Sequence, residues 1–142
     1  MSTLVTRFNS LFNYPDIGKL VLRVSFGIML LLHGIHKMHG GGTDFIQTLL
    51  AQHGLPAFIA YGVYLGEVLA PVMLILGLYT RIASVIIIGT CCFIILLMHS
   101  ENLFTLSKVG AWIAESVGMY LFSSLALLFF GSGKYALIPD QR

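Results

Sequence analysis

Charged side chains are scarce in this 142-residue chain: Asp, Glu, Lys and Arg make up 10% of it, against roughly 25% in average soluble domains. The net charge is +2 and no block of basic residues is present, so nothing indicates nucleic-acid binding. Hydrophobic residues make up 57% of the chain, more than a soluble domain of this length can bury while it keeps a polar exterior. The composition therefore predicts an integral membrane protein.

Cysteine is nearly absent as well. Cys91 and Cys92 are adjacent in an apolar run, where helix neighbours point about 100° apart, so a disulfide between them would strain the backbone. We predict two small hydrophobic residues in a helix, with a redox-active vicinal pair as the minor alternative. The chain also lacks a CxxC motif, a Gly-rich phosphate-binding loop and a nucleophile elbow.

Four apolar segments are long enough to span a bilayer, which takes about 20 helical residues. They predict spans over residues 17–37, 57–79, 82–99 and 112–131. The loops between them are too short to fold alone, so residues 1–142 are predicted to form a single domain. The predicted fold is all-α, a four-transmembrane-helix bundle.

An amphipathic stretch precedes the spans. Its apolar residues recur with a period of 3.6, which predicts a helix lying in the membrane interface. They are Leu4, Val5, Phe8, Leu11 and Phe12.

Basic residues are divided unevenly between the two ends of this bundle. Lys37 and Lys108 lie at one end, which the positive-inside rule makes the outer one. Both termini are then predicted to be cytoplasmic. The six basic residues of the cytoplasmic end are Arg7, Lys19, Arg23, Arg81, Lys134 and Arg142.

Several ionisable groups fall inside the spans, where a charge at the helix centre costs about 3 kcal/mol or more and tends to be paired. At 100° per residue, Arg23, His33 and Lys37 fall within a sector of about 80° on the first span. Glu67 lies near the middle of the second span, and Pro71 leaves its carbonyl without a helical partner. We predict a buried Arg23–Glu67 pair, which either locks two helices together or forms the polar floor of a ligand or proton site.

The antiparallel order of the spans brings further polar groups to one outer elevation. Four helices then contribute to an outward-facing polar intramembrane site, although each histidine alone is explained equally well as an interfacial residue. No catalytic role is assigned. The candidate ligand-binding or proton-relay residues are Arg23, His33, Lys37, Glu67, His99 and Glu115.

A metal or haem site is a lesser alternative. His33, His36 and His99 could contribute to a metal site, and His33 with His99 is the credible axial pair for a haem. Lys37 beside them would oppose a bound cation.

Short motifs are spread along residues 17–138. They are Arg23, "HGIHK" at 33–37, "GLP" at 54–56, "GE" at 66–67, "GLYTR" at 77–81, His99 and "LLFFGSGKYAL" at 127–137. In order and spacing these motifs resemble those of the DoxX family, small bacterial membrane proteins with four helices.

The resemblance implies a place in the bacterial cytoplasmic membrane and a link to quinone-coupled redox chemistry. The family name comes from a subunit associated with a quinol oxidase and with thiosulfate:quinone oxidoreductase. Arg23, His33, Lys37, Glu67 and His99 match the family's polar positions, and Glu115 matches more loosely. No flavin, iron–sulfur or haem motif is visible, so electrons would come from a redox partner protein, and the chain alone is not expected to be a complete enzyme.

A second hypothesis is a non-catalytic membrane subunit, or a module that binds or transports a small solute or lipid. Gly62, Gly66 and Ala70 give a small-residue face at four-residue spacing, which suits close helix packing within one chain or between subunits. A homo-oligomer therefore stays open alongside contact with membrane lipids. Co-purified quinone would favour the first hypothesis, and a colourless, quinone-free protein the second.

Overall fold

The computed structural model describes residues 2–140, and within them the chain forms helices and no strand. The second span begins with a 3₁₀ segment (Ala57–Gly62), widens into a π-helical segment (Leu65–Leu69) and continues as α4. The α-helices are α1 (Thr3–Leu11), α2 (Pro15–His39), α3 (Gly42–Gln52), α4 (Ala70–Leu76), α5 (Thr80–His99) and α6 (Glu115–Phe130).

Three helical stretches are long and apolar enough to cross a membrane, and α6 is a shorter apolar helix. These four helices confirm the predicted class, a helical membrane bundle. The three long stretches are Pro15–His39, Ala57–Leu76 and Thr80–His99.

The span boundaries differ from the predicted ones for local reasons. The second span ends at Leu76 instead of residue 79, because Gly77 adopts a left-handed conformation with φ of 73°. α6 begins at Glu115 instead of residue 112, since the Trp112 indole N–H is held by the Leu103 carbonyl in the preceding turn. With 16 residues, α6 is about 24 Å long.

The four apolar stretches close into one bundle: α2 packs on α4, α4 on α5, α5 on α6, and α6 again on α2. A second cluster of buried residues lies beneath α3, with Leu50 at its centre. The main core consists of Phe26, Leu30, Ala70, Leu74, Ala83, Ile87, Cys91 and Leu127.

The two ends of the bundle carry different chemistry. At the end named here the histidine end, α2 and α5 finish at His39 and His99, and α3 covers the bundle. The opposite, arginine end contains Arg23 and the last turn of α4. Residues 131–140 return to this end, where the Ile138 N–H donates to the Gly77 carbonyl at 3.0 Å.

The predicted amphipathic segment is helical, as α1, and stands apart from the bundle. None of its residues is buried, and it packs against no other helix of residues 2–140. Its apolar side chains Leu4, Phe8 and Leu11 are exposed.

Candidate functional site

Glu67 is positioned by an irregular turn in the second span. Pro71 lacks an N–H, and the helix ahead of it widens so that the Ala70 N–H bonds the Leu65 carbonyl, five residues back. Single π turns of this kind are frequent at functional sites. On one side α2 approaches so closely that a Cβ at Gly34 would overlap the Glu67 carbonyl oxygen. Glycine at position 34 therefore allows the backbones of α2 and the second span to come into contact at Glu67.

The partner of Glu67 is Lys37. The Lys37 ammonium nitrogen lies 2.6 Å from Glu67 Oε1, and the two side chains are 24% and 5% exposed. The other carboxylate oxygen, Oε2, is buried and has no hydrogen-bond partner within residues 2–140. A buried carboxylate oxygen without a donor is costly, so Glu67 keeps the capacity for a further hydrogen bond.

The predicted Arg23–Glu67 pair is wrong. Arg23, 1% exposed, donates from Nη1 to the Leu74 carbonyl at 2.8 Å and from Nη2 to the Tyr135 carbonyl. The carbonyls of the last turn of α4 carry the negative end of that helix's dipole and attract the guanidinium. Arg23 thus joins α2, α4 and the returning C-terminal segment at the arginine end.

A cavity of about 330 Å³ lies in the histidine half of the bundle, between α2, α3, the second span, α5 and α6. Its walls are mainly apolar, with Leu30, Ile87 and Phe93 among them. This combination of size, apolar walls and a few convergent polar groups is typical of small-molecule sites. The polar residues that line it are His33, His36, Lys37, Glu67, Thr90, Ser116 and Tyr120.

The structure brings together three of the six candidate residues, His33, Lys37 and Glu67. Arg23 lies at the other end of the bundle. His99, the last residue of α5, and the exposed Glu115, in the first turn of α6, share the elevation of the cavity without lining it. Elevation alone therefore did not determine which side chains meet.

The metal alternative lacks a ligand set. Within residues 2–140, no three His, Cys, Asp or Glu side chains are grouped closely enough to hold a metal ion. The set of His33, His36 and His99 does not converge, because His33 and His36 line the cavity and His99 does not.

Further cavity residues with polar or reactive side chains were not among the predicted site residues. Tyr120 places its ring edge-on to His33, with centroids 5.5 Å apart. Thr90 donates its hydroxyl to the Ile86 carbonyl, and Cys91 is a buried free thiol in the core. The one signal in the sequence for these residues was that Tyr120 is the single tyrosine of the predicted fourth span.

Gly66 makes the other close approach at this site. A Cβ at position 66 would overlap the Thr90 side chain, so the second span and α5 are in direct contact there. Gly66 and Ala70, two of the three residues in the predicted small-residue face, are thus buried inside the bundle, whereas Gly62 is exposed.

Comparison with known proteins identifies one curated relative and one family. A "Putative oxidoreductase CatD" of Bacillus subtilis (strain 168) is 32% identical over 137 residues, which cover 87% of this chain and 87% of that protein. No solved structure matches the chain. The sequence model of the DoxX family matches residues 18–100. This chain belongs to the DoxX family.

Proposed function

We propose that this chain is the quinone-binding subunit of a membrane redox system and that the cavity at the histidine end takes the quinone ring. The observation that carries the proposal is the Lys37–Glu67 pair: both residues line an apolar cavity, and within residues 2–140 Glu67 Oε2 has no hydrogen-bond partner. Membership of the DoxX family and similarity to a protein named as an oxidoreductase support a redox role.

The cavity suits such a ring. Its apolar walls, Leu30, Ile87 and Phe93 among them, can contact the faces of a flat ring, and Lys37 can donate a hydrogen bond to a ring oxygen. Lysine and glutamate together form a neutral pair, which is the form in which charge is best tolerated inside a membrane.

Reduction of a quinone to a quinol takes up two electrons and two protons. Residues of this chain can transfer the protons. Glu67 can accept a proton on its free oxygen and then donate it. Lys37, which is partly exposed, connects the pair to the histidine end. His33 and His36 line the cavity beside this pair, and their ring nitrogens can donate or accept hydrogen bonds. The electrons come from a redox partner protein.

The proposed location is the bacterial cytoplasmic membrane, with the arginine end cytoplasmic and the cavity in the outer half. Lys19, Arg81 and Lys134 lie at the arginine end in support of this orientation, whereas Arg142 lies outside the described residues. The exposed apolar face of α1 would rest in the interface on the cytoplasmic side.

The experiment is to reconstitute the protein in lipid nanodiscs with a decyl-tailed benzoquinone and to measure bound quinone per protein by extraction and chromatography. We expect about one quinone per chain, and a loss of about tenfold in affinity in Lys37→Met and in Glu67→Gln, equivalent to about 1.4 kcal/mol. Lys108→Met, an exposed lysine in the α5–α6 loop, is the matched control and should bind like the unmodified chain.

A quinone content no higher than in empty nanodiscs would contradict the proposal. Retention of another lipid or solute that depends on Lys37 and Glu67 would instead support the binding or transport module. An equal loss of quinone in all three variants would show that the effect comes from charge in general and not from this cavity.

A further inference from the structure

Two grooves on the lipid-facing surface of the bundle lie next to the cavity. One groove, between α2 and α6, is lined by Met29, Leu32, His33, His36 and Tyr120, and the last three of these also line the cavity. The two spaces are therefore separated by side chains that belong to both.

Two of the separating side chains are the rings of His33 and Tyr120. The His33 and Tyr120 rings meet edge to face, His33 is exposed, and neither ring makes a side-chain hydrogen bond to the other. Rotation of either ring about its χ1 bond needs no change in the backbone. Tyr120 also contacts Phe26, with ring centroids 5.6 Å apart, so the packed core begins directly below this point.

The second groove lies between the second span and α5, with Gly62, Gly89 and Thr90 among its lining residues. Here the barrier to the cavity is rigid. Gly66 packs so closely on Thr90 that even a Cβ would overlap its side chain, and helix backbone lies on both sides. Opening this route would require two helices to separate.

We infer that the ligand of the cavity is carried in the lipid phase and enters between α2 and α6, past the His33–Tyr120 ring pair. The inference rests on the proposed function and names its substrate class: a ring headgroup on a lipid tail. A cavity of about 330 Å³ holds such a ring but leaves no room for a long tail. The apolar groove formed by Met29 and Leu32, which are both exposed, receives the tail.

The test blocks the groove and compares two probes, a decyl-tailed benzoquinone and the same ring without its tail. Leu32→Trp fills the groove on its lipid side, and Met29→Trp repeats the test at a second position. Ile28→Trp is the matched control, since Ile28 is equally lipid-facing on α2 but lines neither the groove nor the cavity. Gly89→Trp fills the other groove, where a new side chain meets open space.

We expect Leu32→Trp and Met29→Trp to weaken binding of the tailed probe by about tenfold and that of the tail-less ring by less than about twofold. Ile28→Trp and Gly89→Trp should bind both probes like the unmodified chain. Loss of the tailed probe in Gly89→Trp alone, or equal behaviour of Leu32→Trp and Ile28→Trp, would overturn the entry route while leaving the cavity as the quinone site. If the unmodified chain binds neither probe, the proposed function itself fails.

Discussion

Arg23 and Glu67 are both ionisable groups buried in the bundle, yet their surroundings differ in kind. Arg23 donates to the Leu74 and Tyr135 carbonyls, and it lines neither the cavity nor the two grooves. Glu67 is bonded to Lys37 and lines the cavity. Within residues 2–140 each keeps one buried atom without a partner, Arg23 Nε and Glu67 Oε2. The comparison shows that burial of a charge is not itself a sign of function. A group bonded to backbone away from any cavity holds the fold together, whereas a group that lines a cavity can meet a ligand.

The largest expected effect is on stability, at the arginine end. Arg23→Met removes donors from two carbonyls and one of the bonds that hold the returning C-terminal segment, so the free energy of unfolding should fall by about 3 kcal/mol or more. Thermal unfolding in detergent measures this, and limited proteolysis reports release of residues 131–140. Arg7→Met, at an exposed position of α1, is the control and should unfold like the unmodified chain.

A smaller loss is expected where α2 meets the π segment. A Cβ at Gly34 would overlap the Glu67 carbonyl oxygen, so Gly34→Ala should force the helices apart and cost about 1–3 kcal/mol. Gly18, on the same helix, has open space at its Cβ position, so Gly18→Ala should leave stability unchanged or raise it by up to about 1 kcal/mol. Equal thermal stability of the two variants would mean that the close approach at Gly34 is not required.

The Lys37–Glu67 pair should affect stability less than Arg23 does, because Lys37 is partly exposed and can reach water when it is left alone. Glu67→Gln should lower the free energy of unfolding by about 1–2 kcal/mol. Adding Lys37→Met should restore part of this loss, and adding Arg23→Met should not. Strict additivity of the Lys37 and Glu67 losses in this double-mutant cycle would show that the two residues are not coupled.

The smallest stability effects are expected at the histidine end, where ligand retention is the informative measurement. His33→Ala should lower quinone retention severalfold with a stability change within about 0.5 kcal/mol. His99→Ala and Glu115→Gln should leave retention unchanged, because neither residue lines the cavity. Equal losses in His33→Ala and His99→Ala would move the binding site away from the cavity and towards the end surface.

The sequence predicted the helices because hydropathy and length are local properties. It also predicted the irregularity of the helix at Glu67, since a proline four residues later removes the helical partner of the Glu67 carbonyl wherever the helix packs. The prediction of an Arg23–Glu67 pair was wrong because helix rise gives the depth of a side chain in the bundle but not the direction in which it points. Arg23 instead donates to the Leu74 carbonyl in the last turn of α4 and to the Tyr135 carbonyl. Tyr135 belongs to a C-terminal segment whose return to the bundle has no local signal in the sequence.

The candidate site shows the same division between depth and direction. His33, Lys37 and Glu67 face the cavity, while His99 and Glu115 have a similar depth but other directions. The direction of a side chain depends on how each helix is rotated about its axis, and close contacts such as that between Gly66 and Thr90 set this rotation. Those contacts join residues far apart in the sequence, so periodicity within one helix could not reveal them.

The most direct test is whether the Glu67 carboxyl meets the ligand. Infrared difference spectroscopy, with and without the decyl-tailed benzoquinone, follows carboxyl bands as the ligand binds. We predict a carboxyl difference band that is absent in Glu67→Gln, is changed in Lys37→Met and persists in Glu115→Gln. Binding without a carboxyl band, or a band that survives in Glu67→Gln, would contradict the assignment of the Lys37–Glu67 cavity as the functional site.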